Sequence, residues 1–316
     1  MFLENLLTKI EELIDTLRHA PAETVTAWDP VNAPMVRQWC EVIGRDNPLY
    51  LDEEAARRGP YGALVAPAAM LYTWTMLGYL GVYPNGHPMD APQNFSAAGY
   101  AGVVATNFEY IFDRCPHMGE VITRSLSSPN ISDLKKTKLG EGYFQTRSAV
   151  FTGEGGRRVG EVRATAFMFK PLDTDAQSQP RSPVKIELPK EDQSYPPVAI
   201  DITTSLIVAS SIATRDYQGV HHDRDAARRG GAKDIYLSVL ATIGQVQRSI
   251  EAWYGPNIKL ESVNLRLLSQ CYPGDCLTFK NISSTISADG CLNIKVRGDL
   301  RESVYADVSV TARNHT

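Results

Sequence analysis

Arg215-Asp216-Tyr217-Gln218-Gly219-Val220-His221-His222-Asp223, continuing as Arg224-Asp225-Ala226-Ala227-Arg228-Arg229-Gly230, is one of two related stretches in this chain. The other is Gly44-Arg45-Asp46-Asn47-Pro48-Leu49-Tyr50-Leu51-Asp52, continuing as Glu53-Glu54-Ala55-Ala56-Arg57-Arg58-Gly59, and it aligns without a gap 171 residues earlier. The later copy presents Asp216 and His221, five residues apart, where the earlier one holds Arg45 and Tyr50. A carboxylate and an imidazole are suited to moving protons near neutral pH, so one copy reads as catalytic and the other as retired.

Working outward, the same order of elements surrounds both copies: a short strand and helix, the polar motif, a long apolar helical segment, then several strands. In the later half, Ile235, Val239, Leu240, Ile243, Val246, Ile250 and Trp253 mark one face of a helix predicted over Ile235–Tyr254, stopped by Gly255-Pro256. Strands are predicted at Lys259–Leu268, Cys276–Ile286, Leu292–Leu300 and Val304–Thr311, separated by turn-forming residues. The earlier half repeats this with a helix at Val65–Val82 and strands at Val103–Phe112, Val121–Ser128, Tyr143–Thr152 and Arg158–Phe169. Pro67, Gly78, Gly81 and Pro84 should curtail that helix. Residues 172–197, rich in Pro, Ser, Gln and charge, read as a linker between an N-terminal unit at 1–171 and a C-terminal unit at 198–316. Leu3, Leu6, Leu7, Ile10, Leu13, Ile14 and Leu17 make residues 1–18 an amphipathic helix packed on the body.

Composition narrows the function class. A net charge of -4 over 316 residues gives no general attraction to nucleic acid or acidic membranes, and no basic stripe or DNA-binding motif is present. No apolar run approaches the roughly 20 residues that span a bilayer, and the first helix is too charged for a signal peptide. Five cysteines without paired spacing suggest neither a disulfide framework nor structural zinc, which fits a reducing cytoplasm. His221-His222-Asp223 lacks further ligands at suitable spacing, so no metal is expected.

The Asp216 to Asp223 stretch, followed by Ala226-Ala227, resembles the hydratase motif of the MaoC-like proteins, the (R)-specific enoyl-CoA hydratases, whose pattern is Gly-Asp-x-Asn-Pro-x-His-x-Asp. The earlier copy keeps that pattern's Asn47-Pro48 and lacks its Asp and His; the later copy carries Arg215 for the Gly and Gln218-Gly219 for Asn-Pro. Val220-His221-His222-Asp223 with Lys233-Asp234-Ile235 is similar to the catalytic chain of actinobacterial steroid side-chain enoyl-CoA hydratases. Asn47-Pro48-Leu49-Tyr50 with Tyr61-Gly62 and Ala66-Pro67 is similar to their partner chain. The resemblance implies an α+β double hotdog, with two long helices each wrapped by a curved antiparallel sheet and the sheets joined edge to edge. It also implies a hydro-lyase forming an (R)-3-hydroxyacyl-CoA, with coenzyme A entering as part of the substrate and no separate cofactor.

Hydration of a conjugated thioester needs a nucleophile at the β-carbon, a proton at the α-carbon and a donor for the carbonyl oxygen. Asp216 and His221 can share the water. A backbone N–H at the start of the Ile235–Tyr254 helix, with Ser238 the first choice, can serve the oxyanion, whereas Pro67 at the equivalent place has no N–H. Arg228, Arg229 and Lys233 are candidates for the CoA phosphates, though a solvated positive loop accounts for them equally well. Met70 and Trp74 read as core, or as the lining of space freed by the shortened helix, which would suit a bulky acyl group. Three alternatives stay open: a 3-hydroxyacyl-thioester dehydratase of fatty-acid-type elongation, a thioesterase, and a non-catalytic acyl-thioester-binding scaffold. One chain supplies both hotdogs, and a homodimer remains compatible with the sequence.

Overall fold

The computed structural model describes residues 2–19, 21–44, 47–80, 95, 98–100, 102–171 and 194–314. Its helices are α1 (Phe2–Arg18), α2 (Ala33–Ile43), α3 (Glu53–Arg58), α4 (Thr204–Thr214), α5 (Arg224–Arg229) and α6 (Val239–Tyr254). The duplication is carried into three dimensions at an unchanged spacing. α2 and α4 are both 11 residues long, and 3-10 turns at Pro48–Tyr50 and Gly219–His221 lead into the six-residue α3 and α5. The caps repeat as well: Asp52 Oδ1 accepts from the amides of Glu54 and Ala55, and Asp223 Oδ1 from those of Asp225 and Ala226. These bonds satisfy donors that the first turn leaves without partners, which is why the Asp-x-x-Ala-Ala-Arg-Arg-Gly block builds the same local structure twice.

The strands are β1 (Glu23–Thr26), β2 (Gly102–Phe112), β3 (Thr123–Leu126), β4 (Asn130–Ile131), β5 (Lys135–Thr137), β6 (Gly140–Thr152) and β7 (Arg158–Pro171) in the first half. The second half supplies β8 (Val198–Asp201), β9 (Ile258–Leu267), β10 (Cys276–Ile286), β11 (Leu292–Asp299) and β12 (Val304–Asn314). They form one 12-stranded sheet in the order β1-β3-β6-β7-β2-β9-β12-β11-β10-β8, with β4 and β5 paired to β6. All pairings are antiparallel, and the halves meet edge to edge where β2 joins β9, from Asn107 opposite Arg266 to Ile111 opposite Ser262. One hydrophobic core runs through both halves, including Trp39 and Phe151 from the first and Ile243 and Phe279 from the second. α1 turns Ile10, Ile14 and Leu17 inward to a smaller cluster with Ile131, Tyr143 and Met168.

The long C-terminal helix begins four residues later than its apolar pattern predicts. Ser238 is its N-cap, with Oγ accepting from Ala241 N at 3.1 Å, while the amides of Tyr236 and Leu237 bond to the carbonyls of Val220 and Cys271. Ile235 and Leu237 are buried all the same, as extended backbone rather than helix. α6 lies directly on α2, because a Cβ at Gly244 would come within 2.7 Å of Ile43 Cγ2 and 2.8 Å of Trp39 Cζ2.

The architecture is a double hotdog of α+β class, but among the described residues the expectation of two long helices wrapped by the sheet is met by α6 alone. In place of the helix predicted at Val65–Val82 the described residues form two 3-10 turns, Ala68–Met70 and Thr73–Thr75; residues 81 and 82 lie outside those described. Pro67 offers no N–H, the chain is extended again by Met76 at ψ 151°, and the Ala69 amide is bonded to a side chain from α6. Tyr79 and Leu80 follow as exposed residues.

Candidate active site

The turn that leaves α4 places the acid/base pair. Arg215 ends the helix in the left-handed region at φ 58°, a conformation that favours glycine, and Asp216 N then bonds back to Ser211 O at 2.9 Å. Three residues on, the Gly219–His221 turn brings the imidazole back toward the carboxylate. Asp216 Oδ2 and His221 Nε2 stand 3.5 Å apart, and both side chains are buried.

Hydrogen bonding fixes what each group can do. His221 Nδ1 lies 2.8 Å from the carbonyl oxygen of Tyr236, which can only accept, so Nδ1 carries a hydrogen and the ring turns Nε2 toward Asp216. A water within reach of both atoms can turn its oxygen toward an electrophile. Gln218 Nε2 donates to the second carboxylate oxygen, Asp216 Oδ1, at 3.1 Å, which orients the carboxylate. The Tyr236 ring meets the imidazole edge-on, centroids 5.1 Å apart, and burial, with Tyr272 and Asp216 adding, pushes its phenol up to about 12. His222 turns away, its Nε2 3.0 Å from Tyr217 O. Among the described residues no group of three or more His, Cys, Asp or Glu could hold a metal ion, and no helix is long and apolar enough to cross a membrane.

From sequence Gln218 reads only as a departure from the motif, and Tyr236 only as one of the backbone amides at 236–239; the contacts of the Gln218 side chain and the Tyr236 carbonyl with Asp216 and His221 come from the structure. A signal for Gln218 existed: it stands where the motif carries Asn, so a carboxamide is retained at that place. Ser238 is buried at the head of α6. The remaining candidates are not gathered around the pair. Arg228 pairs with Asp225 at 3.7 Å, Lys233 Nζ stands 4.3 Å from the centre of the Tyr272 ring, and Arg229 closes α5. Met70 and Trp74 are packed in the main core.

The earlier copy is built differently. Arg45 lies outside the described residues. The Tyr50 hydroxyl donates to Glu251 Oε1 at 2.6 Å and accepts from Gln247 Nε2 at 2.7 Å, both partners belonging to α6 of the other half. Burial, then the adjacent Glu251, hold this phenol well above its usual range, so it remains a neutral donor. A small cleft of about 60 Å³ opens beside this network, and a second of about 480 Å³ is bordered by Arg57 and His117; neither is lined by Asp216 or His221.

Fold and site together define the class as a double hotdog with one equipped half. A profile of the FAS1-like dehydratase domain region matches residues 22–162. The beta subunit of 3-oxo-4,17-pregnadiene-20-carboxyl-CoA hydratase from Mycobacterium tuberculosis is 39% identical over 112 residues, which are 35% of this chain and 86% of that protein. The alpha subunit of the same hydratase is 37% identical over 188 residues, 56% of this chain and 60% of that protein. A solved MaoC-like dehydratase matches the fold with a TM-score of 0.70 at 15% identity, covering 95% of this chain and 100% of its own. The chain belongs to the family of that hydratase's subunits, matches the FAS1-like dehydratase domain region in its first half, and has the fold of a MaoC-like dehydratase. It spans 60% or less of the alpha-subunit relatives it matches.

Proposed function

We propose that the chain is an enoyl-CoA hydratase that adds water to an α,β-unsaturated acyl-CoA and gives a 3-hydroxyacyl-CoA, with a bulky, steroid side-chain acyl group as its substrate. The observation that carries this reading is the 3.5 Å gap between Asp216 Oδ2 and His221 Nε2, two groups with their outer partners already fixed. Water held there attacks the β-carbon as one of its protons passes to Asp216. Electron density moves through the α-carbon to the thioester oxygen, which the Ser238 amide at the head of α6 is proposed to receive. The α-carbon then takes a proton from the pair on the same face, His221 assisting, and the carbonyl re-forms. Read backwards, the same steps eliminate water, so a 3-hydroxyacyl-thioester dehydratase is the alternative.

The bulky substrate is supported by the loss of helix in the first half, and by the steroid acyl-CoA named for the relatives. At the 171-residue spacing, Gln247 and Glu251 of α6 correspond to Met76 and Leu80. The chain is no longer helical at Met76, and Leu80 is exposed, so neither residue reaches into the catalytic half as Gln247 and Glu251 reach into the retired one; the segment meets that half through the Tyr79 ring, edge-on to Tyr217 with centroids 5.9 Å apart. Met70 and Trp74 are proposed to border the acyl group, and Arg228, Arg229 and Lys233 to meet the CoA phosphates. The test is kcat/KM for crotonyl-CoA against a steroid side-chain enoyl-CoA, followed by the loss of near-ultraviolet conjugation. The steroid thioester is expected to be preferred by at least about tenfold, roughly 1.4 kcal/mol of transition-state binding. Preference for crotonyl-CoA would refute the bulky acyl group, and turnover of neither would refute the hydratase.

A further inference from the structure

The retired half is filled as well as stripped. Gln247 and Glu251 lie one turn apart on α6 and both reach across to the first half. The Gln247 carboxamide accepts the Ala69 N–H through Oε1 at 2.7 Å, and donates through Nε2 to the Tyr50 hydroxyl and to Glu251 Oε1, each at 2.7 Å. At the spacing of the duplication, Tyr50 corresponds to His221 and Ala69 to Leu240, the second residue of α6. One carboxamide therefore bridges the imidazole position and a first-turn amide. The donor proposed above for the thioester oxygen, Ser238, corresponds to Pro67, which has no N–H; the Ala69 amide, two residues further on in the same turn, is the donor that receives the Gln247 oxygen.

The surroundings are those of a site with its occupant built in. The small cleft beside Gln247, about 60 Å³, is lined by Trp39, Asn47, Tyr50, Arg248 and Glu251 as well. The indole N–H of Trp39 is buried and meets no acceptor among the described residues. Tyr50 and Gln247 are themselves buried, so the carboxamide closes the inner end of this cleft.

We propose that the N-terminal half is a thioester site held shut by Gln247, whose carboxamide stands in for a ligand carbonyl, and that trimming this side chain admits one acyl-CoA there. The idea rests on the reading that the equipped half takes an acyl thioester, and its test reads a difference that does not depend on turnover. The full-length protein and its Gln247→Ala variant are titrated with butyryl-CoA, a saturated thioester that cannot be hydrated, and the bound equivalents per chain are counted by native mass spectrometry. The variant is expected to bind one equivalent more than the wild type. Equal numbers would overturn the proposal, as would two equivalents on the wild type. A wild type that binds none, beside a variant that binds one, would refute the hydratase reading and leave the closed site supported. Should Gln247→Ala not fold, Gln247→Asn, too short to bridge Tyr50 and Ala69, is expected to show the same gain and is judged by the same outcomes. Amide hydrogen exchange adds an independent readout: losing its acceptor should speed exchange at Ala69 by about tenfold or more, and unchanged exchange would show that Gln247 does not hold this donor.

Discussion

Replacing Tyr50 with Phe removes a single oxygen from the network that joins the two halves. The ring stays, so no large cavity is made and the loss is almost entirely one of hydrogen bonding. The hydroxyl donates to Glu251 Oε1 at 2.6 Å, and a bond to a carboxylate is worth about 1.5–3 kcal/mol. The Gln247 N–H that the hydroxyl accepts adds little, since Gln247 Nε2 also reaches Glu251 Oε1 at 2.7 Å. The expected destabilisation is therefore about 2 kcal/mol. In urea, with a slope of roughly 2–3 kcal/mol/M, the midpoint should fall by about 0.7–1 M at unchanged slope. Hydration of an enoyl-CoA by the folded variant should stay within about twofold of wild type, because a factor of two is only ~0.4 kcal/mol and the phenol belongs to the retired copy. An unchanged midpoint together with a large loss of turnover would refute the reasoning, since it would put chemistry at Tyr50 and leave the network without structural weight.

Gln218→Ala deprives Asp216 of a donor at 3.1 Å and should lower kcat by about 10-fold or more, the equivalent of a hydrogen bond to a charged group; kinetics indistinguishable from wild type would remove Gln218 from the site. Ser238→Ala should lose about 1 kcal/mol of stability with the cap to Ala241 and keep kcat within a few-fold, because the proposed donor is the backbone N–H; a large fall in kcat would shift the role to the hydroxyl. Stability should fall on the alkaline side. Burial, with Glu251 adding, pushes Cys40 up to about 12, burial first pushes Cys115 up to about 11, and burial also raises Tyr110 and Tyr305 above the phenol range. The folded chain thus keeps protons that the unfolded chain releases from about pH 8.5 upward for thiols and about 10 for phenols. The urea midpoint measured from pH 7 to 11 should drop as pH rises; a rise would contradict the sign.

The duplication was legible because the aligned block carries its own caps, Asp52 and Asp223, and so folds alike wherever it occurs. Asp216 and His221 were legible as a pair through their spacing, although the bond that orients the imidazole comes from Tyr236, 15 residues further on. Apolar periodicity misled where it reported burial rather than backbone. Ile235 and Leu237 are buried before the helix begins, and Met70 and Trp74 are buried in turns that never become one. Lys233, a plausible phosphate ligand by charge, lies over Tyr272, a contact made by a loop brought in from far along the chain. Least visible were Gln247 and Glu251, which look like the solvated face of an amphipathic helix. Tyr50 is 197 residues from Gln247 and Ala69 is 178, and nothing local to α6 announces either partner.

The most direct test of the account is kcat/KM for hydration of a steroid side-chain enoyl-CoA by Asp216→Asn, His221→Ala and the double variant, with folding checked by circular dichroism. If both side chains hold one water, each single change lowers the rate by about 10²- to 10⁴-fold, and the double variant is little worse than the poorer single one. Hydration persisting near the wild-type rate in either single variant would contradict the account.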